Sequence, residues 1–93
     1  MNAIIQILQQ HKAELFKKYP LKSMALFGSY SRGEETKDSD VDVMVELTIP
    51  DVRAFINLSH ELEVIVKRKI DLVSKNGVKE RYMKSIENDL LYV

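Results

Sequence analysis

The 93-residue sequence has no cysteine, only three glycines, no excess charge of either sign and no long apolar run. Without cysteine there is no disulfide framework, thiolate metal site or cysteine nucleophile, and the expected setting is a reducing, cytoplasmic one. Fourteen Lys and Arg balance fourteen Asp and Glu. That balance argues against a nucleic-acid or membrane-surface binder held by bulk charge, so charge must act locally. No segment approaches the roughly 18 apolar residues of a membrane span, and the start lacks the features of a signal peptide. Three glycines cannot supply a dinucleotide-binding Gly-x-Gly-x-x-Gly. The length predicts a single domain, residues 1–93, with a modest core and any ligand site in an open groove.

What is present has clear periodicity. Residues 2–19 place Ile4, Leu8, Leu15 and Tyr19 at helical spacing before Pro20, an amphipathic helix in which His11 reads as a hydrogen-bonded rim histidine. Residues 22–28 form a short apolar strand closed by Gly28, and the segment from Ser29 to Ser39 is a polar loop with room for one helical turn. Val41, Val43, Val45 and Leu47 alternate with Asp40, Asp42, Met44 and Glu46, so the two aspartates project from the same open face of a strand. A helix capped near Thr48 to Asp51 runs to about Lys67. Ile70 to Val73 is a third strand, and a last helix carries Val78, Tyr82, Ile86 and Leu90. The expected fold is a small α/β (α+β) domain, a mixed sheet of about three strands backed by helices.

Familiar ligand motifs fail at particular residues. Gly28 and Gly33 have P-loop spacing, but Glu34 stands where the motif needs lysine. Asp38, Asp40 and Asp42 imitate the start of a calcium loop, yet Val43 replaces its glycine and Ile49 its closing glutamate.

What remains is Gly28-Ser29, ten intervening residues, and Asp40-x-Asp42. A glycine and a small hydroxyl residue at a strand end let backbone N–H groups and the Ser29 hydroxyl approach a phosphate. Two aspartates two apart on a strand lie about 6 to 7 Å apart along the backbone and can converge on hard divalent cations. From Gly28 to Glu46 two basic residues, Arg32 and Lys37, face six acidic ones, Glu34, Glu35, Asp38, Asp40, Asp42 and Glu46. The balance of −4 would repel a triphosphate unless cations intervene. Arg32 has two readings, a phosphate clamp or a solvated ion pair with Glu34 or Glu35. Asp71, alone between Ile70 and Leu72, can share the open face as a third carboxylate and accept a proton from an attacking hydroxyl.

Leu26-Phe27-Gly28-Ser29-Tyr30-Ser31-Arg32-Gly33-Glu34, with Asp38-Ser39-Asp40-Val41-Asp42-Val43 and Lys69-Ile70-Asp71-Leu72-Val73, resembles the minimal nucleotidyltransferases of the DNA polymerase beta superfamily. The resemblance spans roughly residues 22–73. It implies a nucleotidyl transfer from ATP with magnesium and loss of pyrophosphate. In that pattern Gly28 and Ser29, with Arg32 in the following loop, match the triphosphate-binding residues, and Asp40, Asp42 and Asp71 the catalytic metal ligands. Many members are antitoxins that adenylylate a tyrosine of a partner HEPN-domain ribonuclease, so a hetero-oligomer with such a toxin is the implied assembly. The sequence lacks the helical domain that holds primer or tRNA in larger relatives, so the acceptor is brought by another molecule. Two alternatives stand beside this: an antitoxin that neutralises by binding alone, and the catalytic subunit of a two-chain small-molecule transferase.

Weaker signals have plainer readings. Arg53 and His60 imitate the spacing of HEPN ribonucleases in a chain with strands, where that fold has none. Lys67-Arg68-Lys69 meets the negative end of a helix dipole. The apolar run Leu90 to Val93 is expected to pack on the core, and the last helix is the candidate surface for a toxin.

Overall fold

The computed structural model describes residues 3–93, so the expected helix start at Asn2 lies outside the described residues. Helix α1 (Ala3–Lys18) buries Ile4, Leu8 and Leu15, the stripe that the 3.6-residue period demands. His11 is half-buried with Nδ1 2.9 Å from the Ile7 carbonyl oxygen. Strand β1 (Leu21–Phe27) follows Pro20, and the short helix α2 (Ser29–Arg32) follows Gly28. Strand β2 (Val41–Leu47) leads into helix α3 (Val52–Val66), whose N-cap Asp51 accepts a hydrogen bond from the Ala54 N–H at 3.0 Å. Strand β3 (Ile70–Ser74), a 3₁₀ turn at 75–77 and helix α4 (Glu80–Ile86) complete the expected order.

The last helix is shorter than the sequence period suggests. It gives way to a 3₁₀ turn at Glu87–Asp89 and then to strand β4 (Leu91–Tyr92). Asn88 and Asp89 compete with helical hydrogen bonding through their own side chains, whereas Leu-Leu-Tyr-Val is a strand-forming run. β1 takes it up: Ala25 faces Tyr92, Leu26 faces Leu91, and the Val93 N–H donates to the Met24 carbonyl at 2.9 Å.

The sheet therefore has four strands in the order β3-β2-β1-β4, antiparallel except for the β2–β3 pair. Opposed residues share a face. Met24 with Val45, Leu26 with Val43 and Val41 with Ile70 line one face. They form a single core with Leu8 and Leu15 of α1 and Leu58 and Leu62 of α3. Each of those fully buried leucines contributes roughly 1.5 to 3 kcal/mol of transfer free energy. The other face carries Ala25, Phe27, Asp42, Met44 and Asp71 by register. Alternation alone presents Met44 as open, yet Met44, Ala25 and Phe27 are all buried. Asp42 at the end of this face is half-buried and Asp71 beside it exposed. Val52, in the first turn of α3, is 75% exposed.

Candidate active site

The site begins where β1 ends. Gly28 has φ 73° and ψ −150°, a combination open essentially to glycine alone. Its carbonyl accepts from the Ser31 N–H at 3.1 Å, the Arg32 N–H at 3.3 Å and the Ser31 hydroxyl at 2.9 Å. The Glu34 N–H closes on the Ser29 carbonyl at 2.9 Å, and Gly33 leaves the turn in the left-handed region (φ 71°, ψ 23°). The corner is thus tied from three directions, with half-buried Ser29 at its apex. Ser31, for which the sequence offers no functional signal beyond its place in the loop, locks the turn.

Asp42 stands against this corner. A Cβ placed on Gly28 would collide with the Asp42 carboxylate, so the missing side chain is what lets backbone and acid approach. β2 and β3 run parallel with Asp42 opposite Asp71, which brings the two side chains to the same face as expected. Asp42 is half-buried, whereas Asp71 and Asp40, just ahead of β2, are exposed. The Asp42 carboxyl is held above its ordinary range, first by burial and then by the negative charges of Asp71 and Asp40 and a hydrogen bond with Asp71. Arg32 opposes that shift from nearby. Three of the expected charged residues, Asp71, Asp40 and Arg32, therefore act on the fourth, Asp42.

Arg32 is also ion-paired. Its Nε donates to Glu34 Oε1 at 2.6 Å and its Nη1 to Asp89 Oδ2 at 3.2 Å. The solvated pair with Glu34 is present, and Asp89, supplied from 57 positions along the chain, is a partner that no local pattern could reveal. Arg53 and His60 are exposed on α3, with no part in the acid cluster.

The donor set suits a hard divalent cation. Among the described residues no three acidic or histidine side chains enclose an ion by themselves. Magnesium commonly takes one or two carboxylates and completes its shell with water and phosphate oxygens, so an open arrangement of this kind fits it. The repulsion that raises the Asp42 carboxyl is what a cation would relieve.

Comparison with known proteins is consistent with this geometry. The family model described as a nucleotidyltransferase domain matches residues 8–93. The chain is 45% identical, over all of its length and 97% of the relative's, to a Methanocaldococcus jannaschii protein provisionally named a protein adenylyltransferase. It is 37% identical, over all of its length and 95% of the relative's, to the protein adenylyltransferase MntA of Thermococcus cleftensis. A solved toxin-antitoxin structure with AMP-PNP matches at 27% identity and a TM-score of 0.64, covering 76% of this chain and 60% of that one. The fold is shared with a chain from a complex of tri-AMPylated Shewanella oneidensis HEPN toxin with MNT antitoxin, at 21% identity and a TM-score of 0.68, over 94% of this chain and 69% of that one.

Proposed function

The chain belongs to the nucleotidyltransferase-domain family, and from that premise we propose that it is a magnesium-dependent protein adenylyltransferase that modifies a tyrosine hydroxyl of a HEPN-domain toxin and so acts as its antitoxin. The observation that carries this reading is the convergence of Asp40, Asp71 and Arg32 on Asp42 beside the Gly28 corner. The names of the full-length relatives and the toxin-antitoxin complexes with this fold support the acceptor class. No helix among the described residues is long and apolar enough to cross a membrane, which accords with a cytoplasmic protein.

Asp40, Asp42 and Asp71 would hold magnesium, which when bound supplies charge neutralisation at the triphosphate. Gly28 leaves room for phosphate oxygens against the backbone, and Ser29 donates its hydroxyl to them. Arg32 retains guanidinium donors beyond the two bonded to Glu34 and Asp89 and directs them at the departing pyrophosphate. Asp71, the more exposed of the strand-borne pair, accepts the proton of the acceptor hydroxyl. The phenolic oxygen then bonds to the α-phosphorus as the bond to pyrophosphate breaks. Catalysis of this kind is positioning and charge stabilisation.

Incubating the chain with ATP labelled at the α-phosphate, magnesium and the HEPN protein should move label to that protein and raise its intact mass by whole adenylyl increments. In an Asp40→Ala, Asp42→Ala variant the label should vanish. Neutralisation of the toxin that persisted in that variant would instead establish antitoxicity by binding alone, and label found only on a small molecule would establish the two-chain transferase.

A further inference from the structure

α3 ends on Lys67, which lies in the left-handed region at φ 57° and ψ 37°. It is the only non-glycine residue with positive φ among the described residues. Glycine or asparagine usually takes this place because a Cβ crowds the backbone there. A lysine is kept in strain, and Arg68 and Lys69 follow it, all three exposed. The helix dipole does not account for this, since a glycine at 67 would end the helix as well and still leave two cations behind it.

The surroundings form a shelf. Arg68 Nη1 donates to the Lys37 carbonyl at 3.0 Å, and its guanidinium lies 6.0 Å from the ring centroid of buried Tyr30. A cavity of about 440 Å³ opens beside it, bounded by Ala3, Ile4 and Tyr30 and rimmed by Glu35, Thr36, Lys37 and Arg68. Glu63, beside the three cations, accepts from the Ile70 N–H at 3.1 Å. Four cations, Lys37, Lys67, Arg68 and Lys69, thus stand around this place with two acids, Glu35 and Glu63.

That place borders the acid cluster. Lys69 leads directly into β3 and Asp71, and its carbonyl accepts from the Val41 N–H at 2.9 Å, one residue after Asp40. In the order β3-β2-β1-β4 the Gly28 corner belongs to β1 and the shelf to β3. Along the sheet the two strands lie on either side of β2 and Asp42, and Arg68 reaches back to Tyr30 of α2. An in-line displacement needs the acceptor opposite the leaving pyrophosphate.

We propose that the shelf of Lys37, Lys67, Arg68 and Lys69 docks an acidic surface of the protein acceptor and so delivers its hydroxyl to Asp71. The proposal rests on the adenylyltransferase reading above. A protein can set acids against the shelf and neutral groups against the adjoining carboxylates. A continuous phosphate backbone running from shelf to site would meet the −4 stretch from Gly28 to Glu46 and be repelled.

The test uses the full chain, the HEPN-domain toxin and two variants, with folding checked by circular dichroism. Lys67→Glu should raise the KM for the toxin roughly tenfold and flatten its salt dependence, with magnesium-ATP affinity unchanged. Lys67→Gly should unfold at a higher temperature than wild type, because the strain is gone, and still bind the toxin several-fold more weakly. A Lys67→Gly protein that is more stable and binds the toxin at full strength would overturn the proposal. So would Lys67→Glu losing affinity for a single-stranded RNA oligonucleotide but not for the toxin. Calorimetric titration of the toxin separates this outcome from failure of the transferase reading: if wild type binds the toxin salt-dependently through Lys67 but transfers nothing, the shelf stands and the enzymatic reading falls.

Discussion

Gly28 surrenders the volume that the Asp42 carboxylate occupies: a methyl group on the glycine would overlap Asp42 Oδ2 and lie 3.1 Å from its Cγ. Two penalties therefore meet in Gly28→Ala. The backbone conformation at φ 73°, ψ −150° costs a non-glycine residue on the order of 1 to 3 kcal/mol, and the acid must also move. We expect a lowered urea midpoint together with loss of ATP binding by calorimetry. Unchanged ATP affinity in Gly28→Ala would separate the corner from the nucleotide.

Asp42 is poised at the expense of stability. Its folded carboxyl lies above the ordinary value of 3.8, so the folded state binds the proton more tightly than the unfolded chain. The ionised form at neutral pH accordingly opposes folding, and stability is gained as pH falls through the raised value. Asp42→Asn should melt higher than wild type in the absence of magnesium while losing transfer by about 10²-fold or more. Magnesium-ATP at 100 times its Kd would stabilise wild type by about 2.7 kcal/mol. Differential scanning calorimetry should show that shift in wild type and not in the variant.

Arg32 is held from two sides, by Glu34 at 2.6 Å and Asp89 at 3.2 Å. Exposed pairs of this kind are screened by solvent and contribute little to stability, so the expected effect of Asp89→Asn is on ligand rather than fold. With one anchor gone the guanidinium samples more orientations. KM for ATP should then rise several-fold with kcat little changed and the melting temperature within a degree or so. Because both residues act through one group, Arg32→Lys and Asp89→Asn should combine less than additively in a double-mutant cycle. Full additivity would mean that Asp89 does not orient Arg32.

The residues legible from sequence were those whose meaning is local. Period-2 alternation fixed the face of Asp42, and isolation between two apolar neighbours fixed that of Asp71, since strand geometry leaves each residue only two choices. β4 was not legible: Leu91 and Tyr92 pair with β1 across more than 60 positions, and a helical period through Ile86 extends smoothly over them. Asp89 was hidden for the same reason, its role depending on where that late turn comes to rest. Met44 failed in the opposite sense. Alternation placed it correctly on the face of Asp42 but could not show that this part of the face is covered. Local pattern reports direction along a strand, whereas coverage depends on distant chain.

The link between the first and third helices has its own pH signature. Tyr19 Oη donates to Glu61 Oε1 at 2.6 Å and Lys18 Nζ reaches the same oxygen at 2.9 Å. The Glu61 carboxyl is held below its ordinary 4.5, first by the Tyr19 hydrogen bond and then by Lys18. Its contribution is therefore complete above the unfolded value and is lost as pH falls through the lowered one. The Tyr19 phenol is pushed up to about 12 from 10.0, mainly by burial and then by Glu61. Its contribution is complete below 10.0 and is lost as pH rises through about 12. Glu61→Gln keeps the size of the side chain and removes the charge, so it should cost about 1 kcal/mol at neutral pH, the scale of a hydrogen bond to a charged acceptor after solvent screening. Urea midpoints of wild type and variant should converge only in acid, once Glu61 is protonated in the folded state as well. A stability gap that stayed constant down to about pH 2 would assign the loss to packing rather than to ionisation.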